Sequence, residues 1–354
     1  MAMPQLRTVT IPVLPGARPR DDELDLFGLT HPGKVRKENQ DHFLLATMHR
    51  QMVVYGTSLP DPDWLQQPSE RLATIMLVAD GVGGGHGGGE ASRLAAETVA
   101  RYVRGAMQCF HTAGGADEHE FHGALRTTAL EAHETVRAEA EARGEAAGQP
   151  GARGFATTLT LGIAVWPWMY VVQVGDSRCY LYAEGALHQI TRDQTVAQDL
   201  VDKGILKAEQ AAASPLGSVL ASAIGGGSAT PEVSRLDIHE RGCVLLLCSD
   251  GLTKHVTHAE IAERVGAMRS AEQLCRSLVA LALERGGERQ RHHPRWAGAG
   301  GGGVGRRRHS RRIAAMPAAG PRASATNAHR HPTSETSRGT SWMDAIVSRN
   351  PSDV

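Results

Sequence analysis

The sequence predicts an α+β fold dominated by antiparallel sheet, and three observations carry that expectation. Eight strand-like runs occur between residues 25 and 250, several too close together to admit a crossover helix. Two long amphipathic stretches sit together between the third and fourth of these runs. Near residue 287 the periodic text stops, and a glycine- and arginine-rich tail of 67 residues, 288–354, follows.

In chain order, "DLFGLT", "HFLLATM" and "TIMLVAD" read as strands because β-branched and apolar residues run between turn residues. Helices are predicted over 91–107 and 122–142, where Leu94, Ala95, Val99 and Val103 form an ordinary sheet-packing stripe. "RGEAAGQPGARG" reads as a loop. Four more strands, "TTLTLGIAV", "MYVVQVG", "RCYLY" and "LHQIT", lead to a short helix over 195–203. "CVLLLCSD" is the eighth strand, and helices over 259–265 and 271–285 close the domain.

Composition bounds the function. The 354 residues are 41% hydrophobic and 21% charged, enough to bury a core. There is no bilayer-length apolar run and no basic start with an apolar core at the N-terminus, so a cytoplasmic, non-membrane protein is expected. The five cysteines make no CxxC pair and read as reduced core thiols, not as zinc or disulfide partners. The zero net charge divides unevenly: from Arg289 onward there are 12 arginines, no lysine and three acids, a net +9, against −9 for the rest. The sequence thus divides into an N-terminal extension (1–21), a folded domain (22–287) and a basic tail (288–354) too poor in apolar residues to order itself.

The chemistry is signalled by acids at strand ends. "TIMLVADG" delivers Asp80, "CVLLLCSDG" Asp250 and "MYVVQVGDSR" Asp176, while "GKVRKENQDHFLL" opens a strand with Asp41. A carboxylate leaving a buried strand is costly unless it is paired or binds a cation, although a turn or cap accounts for any one of them. Carboxylates suit hard ions such as Mg²⁺ or Mn²⁺, whereas the scattered histidines offer no zinc spacing. Seven of the nine residues after Asp80 are glycine, which lets the backbone bend and turn the Gly81 carbonyl toward a metal. The run lacks the Gly-Lys-Ser/Thr ending of a P-loop, and its GxGxxG string is trivial in so glycine-rich a stretch.

In order, "GKVRKENQD", "VADGVGG", "FATTLTLGIA", "VGDSRCYLY" and "LLLCSDGLT", with "ITRDQTVAQDLVDKGIL" between the last two, resemble the motifs of the metal-dependent Ser/Thr protein phosphatases of the type 2C class, bacterial type. The resemblance covers residues 26–287 and implies a four-layer αββα sandwich, two antiparallel sheets flanked by helices, with two Mn²⁺ or Mg²⁺ ions at one edge. It implies that Asp80 bridges both ions, Asp41 and the Gly81 carbonyl complete one, Asp250 binds the other, and Asp176 supports them. Arg36 is implied as the holder of the substrate phosphate, since a guanidinium fork matches phosphate oxygens. The implied reaction is attack of metal-activated water on a phosphoseryl or phosphothreonyl group without a phosphoenzyme. Cys248 is accordingly structural. Phosphorylated proteins are the implied partners, with a bacterial Ser/Thr kinase and its substrates among them and the chain acting as a monomer.

The chain departs from the pattern at four places. Arg153 and Lys254 stand where many members carry acids that help hold a third, looser ion, so no third site of that kind is expected. Ala156 replaces a glycine before "TT". The final D-N-x-T motif and its strand, which supply another metal-binding aspartate, are missing after "LALERGG", where "ERQRHHPRW" stands. Written as GAG CGA CAA CGT CAC CAT CCT CGT TGG and read from its second base, that stretch encodes S-D-N-V-T-I-L-V. A frameshift near Gly287 is therefore expected, and the chain as written is expected to lack the closing strand and to be weakly active or inactive. The alternatives are an impaired relative that binds phosphoproteins, and a nucleic-acid binder using "RRRHSRR", disfavoured because no aromatic platform accompanies it.

Overall fold

A computed structural model describes residues 18–34, 38–51, 69–82, 86–112, 118–146, 154–239, 242–288 and 343–349. The strands are β1 (Asp25–His31), β2 (Asp41–Arg50), β3 (Glu70–Val82), β4 (Ala156–Thr157), β5 (Leu159–Val165), β6 (Trp168–Val174), β7 (Arg178–Ala183), β8 (Ala186–Gln189), β9 (Glu232–Asp237), β10 (Val244–Cys248) and β11 (Met343–Arg349). The helices are α1 (His86–Thr112), α2 (Glu118–Ala146), α3 (Val196–Asp202), α4 (Ala208–Ala213), α5 (Asp250–Thr253), α6 (His258–Gly266) and α7 (Ala271–Glu288). One sheet runs β1-β11-β10-β7-β8 and the other β2-β3-β5-β6-β9, with β4 beside the end of β3. Every pairing is antiparallel.

Strand periodicity sorts the apolar side chains into layers. Met76 and Val78 of β3, Met169 and Val171 of β6, Cys179 of β7, and Leu245 and Leu247 of β10 form the core between the sheets. The alternate residues Ile75, Leu77 and Ala79 pack outward against Ala95, Val99 and Val103 of α1 and Leu125 and Ala129 of α2. On the other side Val244, Leu246 and Cys248 meet Leu252, Ile261, Val265, Leu274 and Leu278 of α5, α6 and α7. The result is the αββα sandwich that the resemblance implies. Among the described residues no helix is long and apolar enough to cross a membrane.

Two sequence expectations need correction. Helix α1 begins at His86, five residues before the predicted start, because its glycine-bearing first turn is held by tertiary packing that overrides the poor helix propensity of glycine. The first sheet does not lack its closing strand: β11 lies between β1 and β10, with Ile346 opposite both Gly28 and Leu247. Met343–Arg349 is thus ordered within the tail expected to be without structure, while residues 289–342 lie outside the described residues. Its backbone donors and acceptors complete two ladders that would otherwise end unpaired beside each other.

Candidate active site

The periodicity that builds the core also places the acids. Phe43 and Leu45 of β2 pack between the sheets, and two residues earlier on that face is Asp41, 2% exposed. Met76 and Val78 put Asp80 on the same face of β3, where it pairs in register with Asp41. Asp250 follows β10 as the first residue of α5, and Asp176 sits in the turn between β6 and β7, 8% exposed. The apolar stack between the sheets therefore ends in carboxylates brought from four separate places in the chain.

Electrostatics shows that these acids share one region. Burial pushes Asp80 well above the usual carboxylate range, and the charges of Asp41, Asp250 and Asp176 push it further, with a side-chain hydrogen bond to Asp41 adding to the effect. Asp176 is raised to about 7, first by burial and then by Asp250, with Lys254 working against the rise. Carboxylates crowded this way await positive charge. Among the described residues no three His, Cys, Asp or Glu side chains form a ready-made ligand set. The Lys254 ammonium is bonded to Asp250 Oδ2. The donor set, carboxylates with backbone carbonyls close by, suits Mg²⁺ or Mn²⁺ better than a softer ion.

Residues not singled out from the sequence hold the acids in place. Asn39 Oδ1 accepts the Asp41 N–H at 3.0 Å, and Asn39 Nδ2 donates to Thr30 Oγ1 at 2.6 Å, tying β2 to β1. The Asp80 N–H donates to Thr158 Oγ1 at 3.0 Å, and its carbonyl accepts from Thr157 Oγ1 at 2.8 Å and from the Thr158 N–H at 2.9 Å. Thr158 Oγ1 also meets Ser177 Oγ at 2.7 Å, next to Asp176. The paired threonines thus lock the backbone of one acid and brace the turn carrying another. Gly175, with φ +102°, makes that turn, and a side chain there would collide with Thr158.

The glycine run proves to serve close backbone packing. A Cβ on Gly81 would lie 2.4 Å from the Gly88 carbonyl group and 2.7 Å from the Gln40 carbonyl oxygen, so the first turn of α1 rests directly on β3 and on the approach to Asp41. The Gly81 N–H donates to the Gln40 carbonyl at 3.1 Å. Arg178 forms a two-pronged pair with Asp193 at 2.8 and 2.6 Å, a structural role for the arginine of "GDSR". Cys248 is fully buried, and burial pushes its thiol up to about 12, which suits a core residue and not a nucleophile. Arg36 and Arg153 lie outside the described residues.

A sequence profile of the family described as Protein phosphatase 2C matches residues 56–284. The chain is 31% identical over 215 residues to the serine/threonine protein phosphatase PstP of Mycobacterium tuberculosis, covering 61% of this chain and 38% of that protein. It is 29% identical over 214 residues to the serine/threonine phosphatase stp of Listeria monocytogenes, covering 60% of this chain and 80% of that one. Among solved structures, the catalytic domain of PstP in complex with two manganese ions superposes with a TM-score of 0.55 at 21% identity, covering 93% of this chain and 99% of that one.

Proposed function

Because this chain belongs to the protein phosphatase 2C family, we propose that it is a Mn²⁺- or Mg²⁺-dependent protein serine/threonine phosphatase. The observation that carries this reading is that Asp80, paired in register with Asp41, is raised by burial and by the charges of Asp41, Asp250 and Asp176. Two ions there would be held by Asp80 between them, by Asp41 and the Gly81 carbonyl on one side, and by Asp250 on the other. When bound, such ions make water a nucleophile near neutral pH and stabilise charge on the phosphoryl oxygens.

The protein's own contribution is positional. Thr157 and Thr158 fix the Asp80 backbone, Asn39 fixes that of Asp41, and Asp176 lies within the electrostatic reach of Asp250. Arg36, five residues before Asp41, is the proposed holder of the substrate phosphate. Phosphoseryl and phosphothreonyl proteins are the proposed substrates, including a bacterial Ser/Thr kinase and its targets.

A second reading, an impaired relative that binds phosphoproteins without turning them over, is favoured by the bond between Lys254 and Asp250. Phosphate release from a phosphothreonyl peptide separates the two. Turnover that needs Mn²⁺ or Mg²⁺, and stops with EDTA, supports the phosphatase. Peptide binding without release at saturating Mn²⁺ supports the second reading.

A further inference from the structure

We infer that Lys254 is a tethered cation of the carboxylate cluster, occupying Asp250 in the metal-free protein so that divalent ions load unequally, tightly at Asp41 and Asp80 and weakly at Asp250. The inference rests on the metal-dependent reading above and concerns how that site fills.

Lys254 lies four residues after Asp250, one helical turn on, and its N–H donates to the Asp250 carbonyl at 2.9 Å. Its ammonium reaches back to Asp250 Oδ2. Two features distinguish the contact from an ordinary surface pair. The turn is anchored from within, because Leu252 and Val256 on either side of Lys254 are 0% and 2% exposed and packed in the core beneath α6 and α7. The lysine is therefore positioned by buried neighbours, and little further ordering is needed to hold its stem. The ammonium also acts on more than its bonded partner: Asp176 and Asp80 both lie within its electrostatic reach.

One positive charge thus serves three acids that would otherwise repel one another. A divalent ion arriving at Asp250 has to displace the ammonium or share the carboxylate with it. An ion arriving between Asp41 and Asp80 leaves the Asp250–Lys254 contact intact. Unequal loading follows from that difference.

The test is Mn²⁺ binding to the full chain, followed by calorimetry and by the resonance signal of free Mn²⁺, for wild type, Lys254→Met and Lys254→Arg. Wild type is expected to show a tight and a weak site. Lys254→Met should tighten the weak site by about five- to tenfold, the range for releasing a half-exposed charge-assisted contact, and the tight site by clearly less, since of its acids only Asp80 lies within the ammonium's reach and is not bonded to it. It should also lower the metal-free melting temperature by about 2–4 °C, because the cluster loses its counter-cation. Lys254→Arg, which keeps the charge, should retain the inequality. An ordinary i,i+4 surface pair would leave both sites unmoved, and that result, or an equal shift of both, overturns the inference. If wild type binds no Mn²⁺ while Lys254→Met binds two ions, the unequal-loading inference fails but the metal reading stands. If neither chain binds Mn²⁺, both fail.

Discussion

Replacing Asp80 with asparagine separates what this acid costs the fold from what it does for a metal. Asp41 and Asp80 face each other as direct partners across β2 and β3, a placement that puts Cα atoms about 4.5–5.5 Å apart. Two carboxylates about 5 Å apart at an effective dielectric constant of about 20 repel by about 3 kcal/mol. Burial and this repulsion both disfavour the ionised pair, which raises the pKa of Asp80, and the hydrogen bond between the two side chains offsets part of the cost. Asp80→Asn keeps the shape and removes the charge, so the metal-free protein should gain about 1–3 kcal/mol, at about 2–4 °C of melting temperature per kcal/mol for a domain of this size. Wild type should recover the deficit with Mn²⁺, since an ion at a hundred times its Kd adds about 2.7 kcal/mol, whereas the variant should respond weakly. Thermal unfolding at pH 8 with EDTA and with Mn²⁺ gives all four values. A variant less stable than wild type without metal, or one that Mn²⁺ stabilises equally, would refute the reasoning.

Other consequences are equally measurable. Gly81→Ala places a methyl group against the Gly88 and Gln40 backbones and should cost about 1–3 kcal/mol in urea unfolding, whereas Gly105→Ala, in open space on α1, should gain about 0.5–1 kcal/mol. Asp176 is raised from an ordinary 3.8 to about 7, so its neutral form favours the fold. That stability is present below pH 4 and lost as pH rises through about 7, by about 4 kcal/mol in full. Denaturation in EDTA from pH 5 to 8 should show the fall, and Asp176→Asn should flatten it. Ile346 sits mid-strand between β1 and β10, so Ile346→Pro should destabilise the full chain by about 3 kcal/mol and remove hydrogen-exchange protection over Met343–Arg349. If instead a frameshift displaced the true closing strand, Ile346→Pro will be silent, and a chain carrying S-D-N-V-T-I-L-V after Gly287 will be the more stable one.

What could be read from the sequence was whatever depends on local pattern. Alternation in "TIMLVAD" and "DHFLL" puts Asp80 and Asp41 on the same side as Met76, Val78, Phe43 and Leu45, and the structure keeps that order. The supports were hidden because they act across long chain separations: Thr158 meets Asp80 from 78 residues away, and nothing in "ATTLT" says which backbone its hydroxyls will bind. Strand β9, "EVSRLD", escaped notice because it is a mostly exposed edge whose apolar residues are only Val233 and Leu236. Helix α4 is a single short turn-like element that periodicity cannot reveal. β11 was missed for a different reason: "MDAIVSR" is ordinary in composition and follows a long stretch without pattern, so only the gap between β1 and β10 makes it a strand. Lys254 was recognised as a cation where an acid was expected, but its bond to Asp250 needed the structure.

The central claim is that acids from β2, β3 and the start of α5 hold a pair of divalent ions. Anomalous diffraction at the manganese edge from crystals grown with Mn²⁺ tests it most directly. Two peaks about 3.5–4 Å apart, touching Asp41, Asp80 and Asp250, are predicted. No peak among these three residues, or manganese bound only elsewhere on the chain, would contradict it.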